Sequence, residues 1–177
     1  MTGKFDRSLR MLSTALDMEE KGKEFYEGAI ETAKNEVGRD IFRTLMEDEN
    51  IHMDRIRKIY ASLSDNQAWS EEWKGLKVKH DDLGELFRQM AKKHGAEITA
   101  DTSDLEALDI GIDFESRSVE FYEEQLTKAV DPLEQEFIRK MVTEERSHHA
   151  ALTDMKLYLS DPAGWFREKE HGGLDGG

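Results

Sequence analysis

Residues 141–152 read MVTEERSHHAAL, and residues 45–56, LMEDENIHMDRI, repeat the arrangement. Each stretch carries a Glu and a His three residues apart, Glu145/His148 and Glu49/His52. On a helix that spacing puts both side chains on one face. The face is otherwise apolar. One stripe runs Ile138, Met141, Glu145, His148, Leu152, Met155, Leu159 and the other Phe42, Leu45, Glu49, His52, Ile56, Ile59, Leu63, both in alternating steps of 3 and 4. Stripes of this kind face the core of a helical bundle, so the acids and imidazoles occupy slots where Leu or Ile is expected. An isolated buried carboxylate costs several kcal/mol or more, which requires something positive beside it.

The chain has 177 residues, enough for one domain with a real core. Hydrophobic residues make up 37% and charged residues 36%, with two Pro, the profile of long amphipathic helices with solvated outer faces. An all-α protein is expected. The net charge of −14 argues against nucleic acid or an anionic membrane as a partner and makes cations the natural ligands. Without cysteine, disulfides, iron–sulfur clusters and thiol catalysis are excluded. No run is apolar enough for a signal peptide or a membrane span, so a soluble, cytoplasmic protein is expected.

Four long helices follow from the punctuation. The first begins near Asp6 as N-cap and carries Leu9, Leu12, Leu16, Glu19, Tyr26, Ile30 and Ala33 on one stripe. Asn35 caps the second, which runs to about Ser64. Thr102 or Ser103 caps the third, with Glu106 completing a capping box, and its stripe is Leu105, Leu108, Ile112, Glu115, Tyr122, Leu126, Ala129. Asp131-Pro132 opens the fourth, which closes around Ser160. Residues 65–101 hold a short amphipathic helix over Leu83, Leu86, Phe87 and Met90. The bundle domain is expected over residues 1–160, and residues 161–177 read as a Gly-rich C-terminal tail.

Sliding the chain against itself by 96 residues aligns positions 6–69 with 102–165 without a gap, and 16 of the 64 pairs are identical. Unrelated sequences share roughly one in sixteen, so the chain is two copies of one helical hairpin. The matches include Asp17/Asp113, Glu19/Glu115, Phe25-Tyr26/Phe121-Tyr122, Glu49/Glu145, His52/His148 and Trp69/Trp165. Glu19 lies 16 residues before the Asn35 turn, and Glu49 and His52 lie 14 and 17 after it. At about 1.5 Å per residue all three stand at one level, roughly 21 to 26 Å from the turn. The same counts place Glu115, Glu145 and His148 about Asp131. Packing the hairpins about a pseudo-twofold, with the 65–101 crossover making the second and third helices parallel, brings four carboxylates and two imidazoles to one point.

Two Glu and two Glu-x-x-His pairs projecting inward form a dinuclear metal site of the kind found in ferritin-like bundles. Four carboxylates with neutral imidazoles carry a charge of −4, which two divalent ions cancel. Oxygen-rich ligation with one imidazole per metal suits two iron ions, or manganese, better than zinc. The repeat disfavours Glu144 and His149 as ligands, since they align with Asp48 and Met53. Asp48 and Glu144 read equally well as hydrogen-bond partners of the ligands or as a solvated face. Tyr26 and Tyr122 lie two turns beyond Glu19 and Glu115 and read as core rings, and plain packing and a hydroxyl that reaches a ligating carboxylate are equally open readings. Asp17 and Asp113 read as solvated, and Trp69 and Trp165 as closing the bundle ends.

Met18-Glu19-Glu20-Lys21-Gly22 with Phe25-Tyr26, Glu49-x-x-His52, Phe114-Glu115 with Phe121-Tyr122, and Glu145-x-x-His148 together resemble the erythrin domain of the rubrerythrin family, in the ferritin-like superfamily. The resemblance covers about residues 6–160. It implies a ferritin-like four-helix bundle with one long crossover. It also implies iron ligation by Glu19, Glu49, His52, Glu115, Glu145 and His148, with Glu49 and Glu145 bridging. The implied activity is reduction of hydrogen peroxide or dioxygen with electrons from an external donor such as a rubredoxin-like protein, and the implied assembly is a homodimer. Two departures stand out. Rubrerythrins carry a further ligating Glu three residues after the third-helix Glu, where Ser118 stands here, which puts in question the carboxylate and histidine exchange of their redox cycle. They also end in a rubredoxin domain, whose iron this cysteine-free chain has nothing to hold. Iron handling, as ferroxidase, storage or delivery, and a metal-free or zinc-filled interaction module are the competing expectations.

Overall fold

A computed structural model describes residues 3–96, 98 and 100–172. Helices α1 (Asp6–Thr32), α2 (Glu36–Asn66), α3 (Leu83–His94), α4 (Thr102–Lys128), α5 (Pro132–Ser160) and α6 (Pro162–Gly172) follow one another, with a 3-10 turn at Glu72–Gly75. There is no strand among the described residues, and none of their helices is long and apolar enough to cross a membrane.

The helix boundaries follow the capping chemistry, with two corrections. Asn35 Oδ1 accepts from the Gly38 amide at 2.6 Å, and Asp131 Oδ1 from the Leu133 amide at 2.8 Å with Pro132 at the first helical position, as expected. The cap of α4 is Asp101 rather than Thr102 or Ser103. Its carboxylate accepts from the Asp104 amide at 2.9 Å while Asp104 accepts in return from the Asp101 amide at 3.1 Å, so the capping box is Asp101/Asp104 and not Ser103/Glu106. Asp101 and Ser103 each have an acid three places on, and the reciprocal pair forms at the earlier one, which lengthens the helix so that Thr102 and Ser103 fall inside its first turn. In α1 the N-cap position is Phe5, and Asp6 is already helical, bonding back to the Gly3 amide at 2.5 Å.

Two tight antiparallel hairpins, α1/α2 and α4/α5, face each other. The core falls into two apolar clusters. One joins the end of α1 (Tyr26, Ala29, Ala33), the start of α2 (Val37, Ile41, Phe42, Leu45), Leu108 near the start of α4 and the end of α5 (Leu152, Met155, Leu159). The other joins the opposite ends, including Leu12, Ile59, Leu63, Tyr122, Phe137 and Met141. The start of α2 therefore lies beside the start of α4, so these helices run parallel and the 67–101 segment spans the bundle. Between the clusters lies the polar layer described below.

The crossover is anchored at both ends. Trp73 packs edge-on against Phe137 with ring centroids 5.5 Å apart, and Leu83, Phe87 and Ala91 of α3 join the first cluster. Residues 162–172, read from sequence as part of a Gly-rich tail, form α6 instead. Asp161 begins the turn, and Trp165 docks against Phe87 and Tyr158 at 5.8 and 5.4 Å while its indole donates to Asp154 at 3.0 Å. That burial outweighs the weak helix propensity of Gly164. The rest of that tail, residues 173–177, lies outside the described residues. Trp69 and Trp165, equivalent in the repeat, belong to different clusters and sit toward opposite ends.

Candidate metal centre

All six side chains singled out by the repeat meet in the layer between the clusters. Glu19 comes from α1, Glu49 and His52 from α2, Glu115 from α4, and Glu145 and His148 from α5, none more than 2% exposed. They form two overlapping groups whose ligand-capable atoms lie within 4.8 Å of one another: Glu19, Glu49, His52, Glu145, and Glu49, Glu115, Glu145, His148. Glu49 and Glu145 belong to both.

Each imidazole turns Nδ1 toward the acids. His52 Nδ1 is 3.1 Å from Glu19 and 3.5 Å from Glu145, and His148 Nδ1 is 3.3 Å from Glu145, 3.5 Å from Glu115 and 3.6 Å from Glu49. The two rings lie nearly parallel, 5.5 Å apart. Each Nε2 points outward to an acid of the opposite hairpin, His52 to Glu144 at 2.9 Å and His148 to Asp48 at 3.0 Å. Asp48 and Glu144 are 2% and 6% exposed, so the solvated reading of these acids fails. A neutral imidazole that donates from Nε2 to these acids has its unprotonated Nδ1 facing the centre.

The tyrosines also cross between hairpins. Tyr122 donates to Glu19 Oε1 at 2.5 Å, and Tyr26 donates to Glu115 Oε1. Both rings are fully buried. Glu144 acts through His52 rather than facing the centre, and the described groups able to hold a metal do not include His149. Asp17 and Asp113 are exposed.

Sequence reasoning missed Arg55. Its side chain is 1% exposed and forks onto Glu144, Nη1 to Oε2 at 2.5 Å and Nη2 to Oε1 at 3.2 Å, while Nε donates to the Leu76 carbonyl at 2.8 Å. The available signal was a break in the repeat, for Ala151 occupies the equivalent place on α5. Ser118, where rubrerythrins carry the extra Glu, is buried and its hydroxyl donates to the Phe114 carbonyl at 3.2 Å.

The electrostatics are those of an acid cluster awaiting a cation. Burial, then the charges of Glu19 and Glu145, pushes Glu49 well above the carboxylate range. Burial and then Glu145 raise Glu115 to about 7. Burial works against Glu19 ionising too, yet His52 and three hydrogen bonds hold it down at about 2. Both histidines are driven up, burial notwithstanding, by the acids around them, and both tyrosines are raised by burial and the adjacent carboxylates. Even so, both oxygens of Glu49, both of Glu145, Glu115 Oε2 and His148 Nδ1 have no hydrogen-bond partner. Buried polar atoms of this kind are normally satisfied. These unpartnered atoms belong to Glu49, Glu115, Glu145 and His148, whose ligand-capable atoms lie within 4.8 Å of one another, and an oxygen-rich donor set with imidazole fits a hard or borderline cation such as iron or manganese.

A four-helix bundle with one long crossover and a buried, duplicated Glu/Glu-x-x-His cluster able to bind metal defines a ferritin-like carboxylate protein. Within that class, the model of the family described as Rubrerythrin matches residues 10–156, and the chain belongs to this family. No curated protein and no solved structure gives a significant match.

Proposed function

We propose that this protein is a non-haem di-iron oxidoreductase that reduces hydrogen peroxide, or dioxygen, with electrons from an external donor such as a small rubredoxin-like protein. The observation that carries the reading is the pair of acids common to both groups, Glu49 and Glu145, whose four oxygens are buried and unpartnered between the two imidazoles. Glu19 and His52 would complete one metal position and Glu115 and His148 the other. Bound iron supplies two electrons, one from each ion, and Lewis acidity toward the oxidant.

The protein supplies the rest. The hydroxyls of Tyr26 and Tyr122 fix the outer oxygens of Glu115 and Glu19, so that the remaining oxygens face inward. Asp48 and Glu144 fix the tautomer of each imidazole. Reduction of peroxide to two waters consumes two protons as well as two electrons. Asp48 and His148 line a cavity of about 370 Å³ together with Val78, Leu83, Thr143 and Ser147, which would admit water to the outer edge of the centre. The apolar clusters above and below keep bulk water out.

Stopped-flow oxidation of the anaerobically loaded di-ferrous protein tests this: one peroxide should oxidise two irons rapidly. Slow, non-stoichiometric oxidation by both peroxide and dioxygen would remove the reading. A second reading, iron uptake for storage or delivery, is favoured by the net charge of −14, which concentrates cations at the surface. A 12- or 24-subunit mass in gel filtration would favour it.

A further inference from the structure

The duplicated hairpins bring to the centre two metal positions that are alike in their ligands and unlike in what stands behind them. On one side Glu144 accepts from His52 Nε2, but its charge is shared with the Arg55 fork and with Lys140 Nζ at 3.3 Å. On the other side Asp48 accepts from His148 Nε2 at 3.0 Å, and among the described residues no Lys or Arg ion pair reaches it. The residue equivalent to Arg55 is Ala151, whose methyl group offers nothing to Asp48. The difference is built into the core: Arg55 is among the largest fully buried side chains, and its third contact, to the Leu76 carbonyl, ties it to the crossover.

We infer that Arg55 makes the two metal positions inequivalent, so that the one holding His148 and Glu115 binds its ion more tightly and fills first, and the one holding His52 and Glu19 is the weaker. Arg55 is a positioning residue that acts through Glu144, and the inference rests on the metal-centre reading above. Two effects point the same way. A carboxylate hydrogen-bonded to the outer nitrogen makes an imidazole a better donor at its other nitrogen, and a carboxylate already engaged by a guanidinium does this less. In addition, a fixed positive charge buried behind His52 repels a dication, whereas the unshared charge of Asp48 attracts one. Partners of this sort change metal affinity about 10- to 100-fold, so the two steps should be separated by at least about tenfold.

Anaerobic titration of the whole chain with cobalt(II), read by its visible absorption and by calorimetry, resolves the steps without any turnover. Two steps are expected in the wild type. Asp48→Asn should loosen the tighter step and leave the weaker one nearly unchanged. Arg55→Met should tighten the weaker step, because Glu144 then gives its charge to His52, and so narrow the gap; Arg55→Lys, which keeps the charge, should restore most of it. A purely structural role for Arg55 would weaken both steps together and never strengthen one. Two equal steps in the wild type, loosening of the weaker step by Asp48→Asn, or an unchanged gap in Arg55→Met would overturn the inference and leave the metal centre standing. No cobalt uptake at all would overturn both. If Arg55→Met fails to fold, the wild type and Asp48→Asn decide the matter.

Discussion

Replacing Glu115 by Gln should stabilise the metal-free protein near neutral pH while removing most of its response to metal. Glu115 is fully buried, and burial with the neighbouring Glu145 raises it to about 7 from an ordinary 4.5. Between those values the folded metal-free protein holds a proton that the unfolded chain has lost. The associated stability is fully present below about pH 4.5 and disappears as pH climbs through about 7. At 1.36 kcal/mol for each pH unit between the two values, the loss on reaching pH 7.5 is about 3 kcal/mol. For a chain of this size that is roughly 6 to 12 °C in melting temperature. Gln carries no charge to lose and keeps an oxygen to accept from Tyr26, so the variant should melt higher than the wild type at pH 7.5 and alike at pH 5. Thermal and urea denaturation of the metal-free proteins at both pH values is the assay. Added manganese or iron should raise the wild type at pH 7.5, since ions replace the missing proton, and should raise the variant much less. A variant no more stable than the wild type at pH 7.5, or one still fully stabilised by metal, would refute the reasoning.

Three further substitutions probe the frame around the centre. A Cβ on Gly22 would come 2.8 Å from Phe114 Cε1 and 3.3 Å from the Glu49 carboxyl carbon, so Gly22→Ala should cost about 1 to 3 kcal/mol and lower metal affinity, seen by denaturation and metal titration of one sample. Asn35→Ala removes the cap bond to the Gly38 amide and should cost about 1 kcal/mol in urea denaturation, with metal stoichiometry unchanged. Trp165→Ala should cost about 3 to 5 kcal/mol, because the indole fills the space between Phe87 and Tyr158; a surface-like cost below 0.5 kcal/mol would show that α6 is not part of the core.

The layer of acids was legible because a polar residue on an otherwise apolar stripe is conspicuous, and because the 96-residue repeat gave each such residue a partner at equal distance from its turn. Counting from Asn35 and Asp131 was enough to bring Glu19, Glu49, His52, Glu115, Glu145 and His148 together. Asp48 and Glu144 were ambiguous because their place one residue before each ligand is also where a solvated acid would stand. Only the meeting of the two hairpins turns them toward the imidazoles. Arg55 follows His52 by three residues and reads as an ordinary exposed helix charge; its burial depends on Glu144, 89 positions away, and on the crossover backbone at Leu76. The cap of α4 was misplaced by one residue because Asp101, Thr102 and Ser103 are all capable caps. Helix α6 was hidden by its glycines, since what holds it is Trp165 reaching partners on α3 and α5.

The central claim is that these six side chains hold two metal ions. Anomalous diffraction at the iron edge, from crystals of protein loaded with ferrous iron without oxygen, tests it most directly. Two peaks are expected, one at His52 Nδ1 and Glu19 and the other at His148 Nδ1 and Glu115, both within bonding reach of Glu49 and Glu145. An empty layer, or iron bound only at the acidic surface, would contradict the account.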